Sequence, residues 1–435
     1  PALWAPVGSW VDTPANQKVN FGGLMTPRDR FATWDMVREL SRSPLVEIGS
    51  HTWASHYGIP ANPQGSREPA IANRFFDNVT GHYETDEHFN QRIAADVRKV
   101  TEKITQVTGK APRAWVWPYG AANGTSLAIA QKQGYQLAFT LEDGLANVRD
   151  LGNIPRLLIA GNPSIKTFAN TVSRVQEFDP VRVMHVDLDY VYDPDPAQQT
   201  KNINKLVQRV YDMKISHVFL QAFSDPRGDG RIGALYFPNR RLPVRADLFN
   251  FVAWQLQTRA GVKVFAWMPV LSFDLSPALP RVQRRDRQTG ELTVAAEPYI
   301  RLSPWSPQVR QQVTEIYEDL ARYASFNGIL FHDDAVLTDV DDAGQETTRQ
   351  KSQQLIGFTR TLSQAVKNIR GPQIKTARNM FALPILQPES EAWFAQNLDD
   401  FLSAYDWTVP IAMPQMESVP AAESTDSLPR LVNAV

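Results

Sequence analysis

Short apolar runs punctuate the first third of the chain, each followed by a longer polar or amphipathic stretch. Residues 2–7, 45–48, 114–117 and 137–140 read as strands, and residues 87–107 and 126–132 carry helical spacing, the second helix stopped by Gly134. Strands that alternate with helices predict a parallel sheet or a barrel. Residues 60–69 form a long polar loop, the kind of segment that builds a groove on one rim. A second series begins near Arg182. Val183-Met184-His185-Val186 runs into Asp187-Leu188-Asp189-Tyr190, and His217-Val218-Phe219-Leu220 into Gln221-Ala222-Phe223. Residues 262–265 run into Ala266-Trp267-Met268, Gly328-Ile329-Leu330-Phe331 into His332-Asp333-Asp334, Ile374-Lys375-Thr376 into Ala377-Arg378-Asn379, and residues 409–412 into Met413-Pro414. Six apolar strands, each ending in polar or aromatic residues, match a TIM-type barrel, whose chemistry sits at the C-terminal ends of its strands. The segment from Asp339 to Gly344 reads as a flexible loop, and residues 421–435 are polar and poorly patterned.

The chain therefore reads as α/β, with two (β/α) barrel-type domains over residues 1–178 and 182–435. The first barrel is incomplete at its start and the second, TIM-like, at its end. A length of 435 residues exceeds one ordinary core and supports that division. A formal net charge of −1 removes the electrostatic case for a nucleic-acid partner. The absence of cysteine excludes disulfides, thiolate metal sites and cysteine nucleophiles. Eleven tryptophans and twelve tyrosines supply platforms for stacking on sugar rings, or core packing. No apolar run approaches the length of a membrane span.

Two places concentrate chemistry. Ser50-His51-Thr52-Trp53-Ala54-Ser55-His56 releases two imidazoles from a strand end onto one loop, and imidazole is a common neutral metal ligand. A hydrolytic metal needs a further ligand and an open position for water; packing histidines are the alternative reading. In the second domain, Asp333 and Asp334 follow a buried strand at the rim where barrel enzymes hold catalytic groups, and glycoside hydrolysis needs such a carboxyl. Asp187 and Asp189 are candidate partners or readers of an amino sugar's charge, with Tyr190 and Trp267 as a stacking floor. Helix capping or arginine pairing is the alternative for the Asp333-Asp334 pair.

These segments together resemble a known family. His51-Thr52-Trp53-Ala54-Ser55-His56 with Trp115-Val116-Trp117-Pro118-Tyr119-Gly120 is similar to the polysaccharide deacetylase (NodB-homology) family. The segments Met184–Tyr190, Phe331-His332-Asp333-Asp334-Ala335, Lys375-Thr376-Ala377-Arg378-Asn379 and Gln387–Phe394 narrow the resemblance to two-domain deacetylases acting on poly-β-1,6-N-acetyl-D-glucosamine during biofilm exopolysaccharide export. The resemblance implies one divalent metal ion, of zinc type or nickel, iron or cobalt, held by one aspartate with His51 and His56. It implies a groove formed by Trp117, Pro118 and Tyr119, with a backbone amide near Tyr119 on the oxyanion, and a second domain whose acidic motif falls on Asp333. It further implies the polymer and its partly deacetylated form as substrates, an outer-membrane export porin as partner, and a periplasmic lipoprotein anchored to the outer membrane. The family's Thr-Phe-Asp-Asp-Gly motif, source of the base and the metal aspartate, is not in these 435 residues and is expected upstream of Pro1. A non-catalytic glycan-binding export module and a glycoside hydrolase alone are the competing readings.

Overall fold

The computed structural model describes residues 2–142, 144–173, 180–296, 299–341, 344, 346–413 and 424–434. The chain divides into two compact units, Pro1–Pro180 with Lys367–Gln373, and Val181–Val366 with Ile374–Val435.

The first unit is built on four short parallel strands. β1 (Ala2–Trp4) pairs with β2 (Val46–Ile48), and β3 (Ala114–Val116) pairs with β4 (Leu137–Phe139). A parallel bridge between Ser50 and Trp115 joins the two pairs in chain order. The strand expected over residues 2–7 stops at Trp4, and the chain turns into the short helix α1 (Gly8–Asp12). Pro6 lies at this break, where its missing N–H cannot extend a ladder. The long helix α2 (Asp86–Thr108) starts where the Thr85 hydroxyl accepts from the His88 amide and ends at Gly109, whose φ is 75°. Its buried stripe, Phe89, Ile93, Val97, Val100, Ile104 and Val107, keeps helical spacing and seals the sheet. The loop expected at residues 60–69 is instead largely a hairpin, Gly58–Pro60 pairing antiparallel with Arg67–Pro69.

The second unit carries a six-stranded, all-parallel sheet in chain order: β5 (Val183–Val186), β6 (His217–Gln221), β7 (Lys263–Met268), β8 (Gly328–Phe331), β9 (Lys375–Phe381) and β10 (Trp407–Ile411). Among the described residues β5 and β10 do not pair with each other, so the sheet is an open half-barrel rather than a closed one. β9 runs through Ala377-Arg378-Asn379, which the sequence reading placed on the rim. Side chains alternate between faces. One face stacks Phe219, Phe265, Leu330 and Ala377, with Trp267, Trp407 and Val409 against them. Gly328 is required there: a Cβ would lie 2.4 Å from the Phe265 ring. The helices Pro196–Asp212, Pro307–Tyr323 and Thr348–Arg370 alternate with the strands. Residues 424–434 are helical where the sequence showed little pattern; Pro414 and residues 421–423 lie outside the described residues. No described helix is long and apolar enough to cross a membrane.

Candidate metal centre and strand-end acidic site

His51 and His56 leave the end of β2 on one loop, and their ring centroids lie 4.9 Å apart. The His51 Nδ1 sits 2.7 Å from the Val116 carbonyl on β3, so that nitrogen carries the proton and Nε2 keeps its lone pair. The His56 Nδ1 is buried and has no partner among the described residues. Burial holds the His51 pKa at about 4; the Val116 carbonyl opposes this, while His56 and Arg156 add repulsion. Burial lowers His56 as well. Both rings are therefore neutral near pH 7, the form in which imidazole binds a cation. The donor set fits a divalent metal as two of its ligands. Among the described residues no third histidine or carboxylate completes the group.

The loop that carries the pair is anchored by a residue the sequence reading missed. Asp96, on α2, accepts the Trp53 amide on one oxygen and the Ala54 amide and Ser55 hydroxyl on the other, each at 2.8 Å. Burial pushes its carboxyl up, against the pull of those three donors. Its signal in the sequence was a carboxylate three residues after Ile93 and directly before Val97, beside an otherwise apolar stripe.

Around the histidines lie aromatic rings. Tyr119 has its ring 4.3 Å from His56, and the Trp10 ring lies 4.9 Å from His56. Trp10 in turn packs edge-on to Phe21 and Phe31. Tyr119 is 48 % exposed and has a left-handed backbone, φ 57°. The turn closes at Gly120, where a Cβ would lie 2.6 Å from Leu141. The structure places Tyr119 beside the histidines but withdraws Trp117. That residue is fully buried in the core with Trp115, Phe89 and Tyr135, so it is a packing residue and not a groove wall.

At the strand ends of the second unit, the structure separates the predicted residues. Asp333 is partly buried; its carboxylate takes a hydrogen bond from the Tyr299 hydroxyl at 3.1 Å and lies 2.9 Å from the His332 Nδ1. Burial would raise its pKa, but the His332 hydrogen bond and charge, with Tyr299, hold it low. Burial works against the charge on His332 too, yet Asp333 and Asp334 lift its pKa to about 9. The Trp267 ring stacks on His332 with centroids 5.3 Å apart, and His185 meets Trp267 edge-on at 5.3 Å.

Asp334 is fully buried and corrects the expectation of a second catalytic carboxylate. It accepts the amides of Val270, Leu271 and Ser272 at 2.7–3.1 Å, fixing the loop after β7, and has no surface to offer a substrate. Asp189 is likewise committed to the protein. It takes the Tyr236 hydroxyl at 2.7 Å, the Ser224 hydroxyl at 2.9 Å and the Asp225 amide at 2.7 Å, and pairs with Arg245. Asp187 is partly buried, and its carboxylate accepts from the Asp189 amide at 2.9 Å. Burial raises its pKa, as do the neighbouring charges of Asp189 and Asp225. Tyr190 is 87 % exposed and stands clear of the packed aromatic cluster.

The segment expected as a flexible loop is anchored at its start. Asp341 is fully buried against Arg301, with contacts of 2.9 and 3.1 Å, and the Lys351 amine donates to the carbonyls of Thr338 and Asp339 at 3.1 Å. Arg301 also donates to the Tyr299 carbonyl at 3.3 Å, behind the tyrosine that holds Asp333. His332 stood within the quoted Phe331–Ala335 segment, but nothing in its spacing announced that it pairs with Asp333.

Comparison with known proteins finds two family matches along the chain. Residues 1–138 match the polysaccharide deacetylase family, and residues 185–350 and 344–435 match a family described as hypothetical glycosyl hydrolase family 13. The chain is 50 % identical over 461 residues to the poly-β-1,6-N-acetyl-D-glucosamine N-deacetylase of Escherichia coli K12, covering all of this chain and 69 % of that protein. The protein of the same description from Escherichia coli O157:H7 matches to the same extent. A solved structure of the PgaB (BpsB) glycoside hydrolase domain from Bordetella bronchiseptica superposes with a TM-score of 0.53 at 45 % identity, covering 59 % of this chain and 80 % of that one.

Proposed function

Because the chain belongs to the poly-β-1,6-N-acetyl-D-glucosamine N-deacetylase family, we propose that it hydrolyses the acetamide groups of that polymer, at a divalent metal ion ligated in part by His51 and His56. The observation that carries the reading is the pair of neutral imidazoles 4.9 Å apart, one with its Nε2 lone pair set free by the Val116 carbonyl. A divalent ion held there supplies Lewis acidity toward the amide carbonyl and toward water. His51 is kept in one tautomer by Val116, and His56 is flanked by the rings of Trp10 and Tyr119. The Tyr119 amide, on its strained turn, donates to the oxyanion that develops as the carbonyl is attacked. Acetate leaves, and the polymer gains an ammonium. The test is acetate release from the polymer before and after chelation. Recovery on adding back zinc, nickel, cobalt or iron supports the reading, and undiminished release from chelated, metal-free protein overturns it.

A second reading concerns the other unit, favoured by the opposite shifts of two carboxyls at one rim. Asp333 is held ionised by His332, whereas Asp187 is pushed toward its protonated form. Two carboxyls driven apart in this way suit glycoside cleavage, one stabilising the sugar cation and the other protonating the leaving oxygen. We assign the second unit binding and cleavage of partly deacetylated polymer, with Trp267 as part of the sugar platform. Equal binding of fully acetylated and partly deacetylated oligomers to this unit would contradict the assignment. A periplasmic lipoprotein anchored to the outer membrane and passing polymer to an export porin completes the proposal; cell fractionation and co-purification with the porin test it.

A further inference from the structure

The loop between the two histidines is gripped from two sides. Its carbonyls are taken by α1, whose Gly8 and Ser9 amides donate to Thr52 and Trp53 at 3.0 and 2.7 Å. Three of its donors, the Trp53 and Ala54 amides and the Ser55 hydroxyl, converge on one carboxylate, Asp96. The loop needs such a grip. Thr52, a β-branched residue between the histidines, has a left-handed backbone with φ 71°, a conformation held only where surrounding contacts over-determine it.

We propose that Asp96 is a positioning residue for the metal ligands: by fixing residues 53–55 it sets the separation and tilt of His51 and His56 and thereby the affinity of the metal site. The inference rests on the metal reading above. A carboxylate accepts on both oxygens, whereas an asparagine accepts on one and presents an NH2 to the remaining donors. Asp96→Asn therefore orphans at least one loop donor while conserving volume. The loop relaxes from its strained form, and the imidazoles lose their common focus. Loss of such an outer contact lowers metal affinity by about 10- to 100-fold.

The experiment is equilibrium dialysis of the intact protein against Zn²⁺ and Co²⁺, with the visible spectrum of the Co²⁺ form as a report of ligand geometry. Four proteins are compared: wild type, Asp96→Asn, Ser55→Ala and Glu84→Gln. Ser55→Ala removes only one of the three donors and keeps the question open should the first variant fold poorly. Glu84, two residues before α2, has a buried side chain that pairs with Arg92, and among the described residues it makes no hydrogen bond to the loop, so it controls for general destabilisation. The expected result is a 10- to 100-fold weaker Kd and an altered Co²⁺ spectrum for Asp96→Asn, a smaller shift of the same sign for Ser55→Ala, and wild-type values for Glu84→Gln. Wild-type affinity and spectrum in both loop variants overturn the proposal, as does equal weakening in Glu84→Gln. Absence of metal binding by the wild type overturns the metal reading itself, a different failure.

Discussion

The two units use histidine in opposite ways. In the first, His51 and His56 sit where burial strips their charge, and a backbone carbonyl fixes the tautomer of one. In the second, His332 is also buried, yet two carboxylates hold a proton on it, with a pKa of about 9. Desolvation alone favours the neutral ring in both places; the nearby charges decide the outcome. A neutral ring with a free lone pair suits a cation, and a protonated ring clasped to Asp333 cannot serve one. Carboxylates divide in the same way. Asp333 keeps a face toward the strand-end cluster, while Asp96 and Asp334 gather backbone amides and hold loops in place.

The comparison breaks most sharply by removing one member of each site. His51→Ala lowers acetate release on the order of 10³-fold, the scale of several kcal/mol of charge stabilisation, while leaving polymer cleavage intact. Asp333→Asn does the converse: chain shortening of partly deacetylated polymer falls by roughly 10²–10⁴-fold, and acetate release stays within about twofold of wild type. Assaying both products on both variants checks the pair. Loss of both activities in either variant would merge two sites held here to be separate.

Smaller effects sharpen the contrast. Asp334→Ala leaves three buried amides without an acceptor and destabilises the second unit by about 3 kcal/mol or more, read as a lowered denaturation midpoint. Activity lost without any loss of stability would instead give Asp334 a chemical role. The pH dependence of folding is subtler. His332 has a folded pKa above its unfolded value of 6.5, so its contribution is complete below pH 6.5 and is lost as pH rises through about 9. His332→Gln removes that contribution. The wild type's Tm then falls over this window, and the variant starts lower and varies less. Parallel Tm profiles would mean that His332 is not protonated in the fold.

Much of this was legible before the structure. The four strands of the first sheet and the six of the second follow apolar runs, most clearly β3, β6, β7 and β8, because a parallel strand buried on both faces needs a continuous one. The His51–His56 spacing and the Asp333 rim position were equally visible. Trp117 misled because an aromatic next to a functional turn looks like a wall, whereas strand alternation turns it into the core. Asp189 and Asp334 misled because rim carboxylates serve loops as readily as substrates, and only the positions of distant amides decide between the two. Tyr299, Asp341 and Asp96 act through residues 34, 40 and 41–43 positions away, pairings that no local spacing records.

The central claim is that His51 and His56 form a metal site that serves deacetylation. Its most direct test is the metal content of protein that has been chelated, reloaded with zinc and freed of excess, measured by elemental analysis for wild type, His51→Ala and His56→Ala. One ion per chain in the wild type and none in either variant is the predicted result. Equal metal in all three proteins, or none in the wild type, would contradict it.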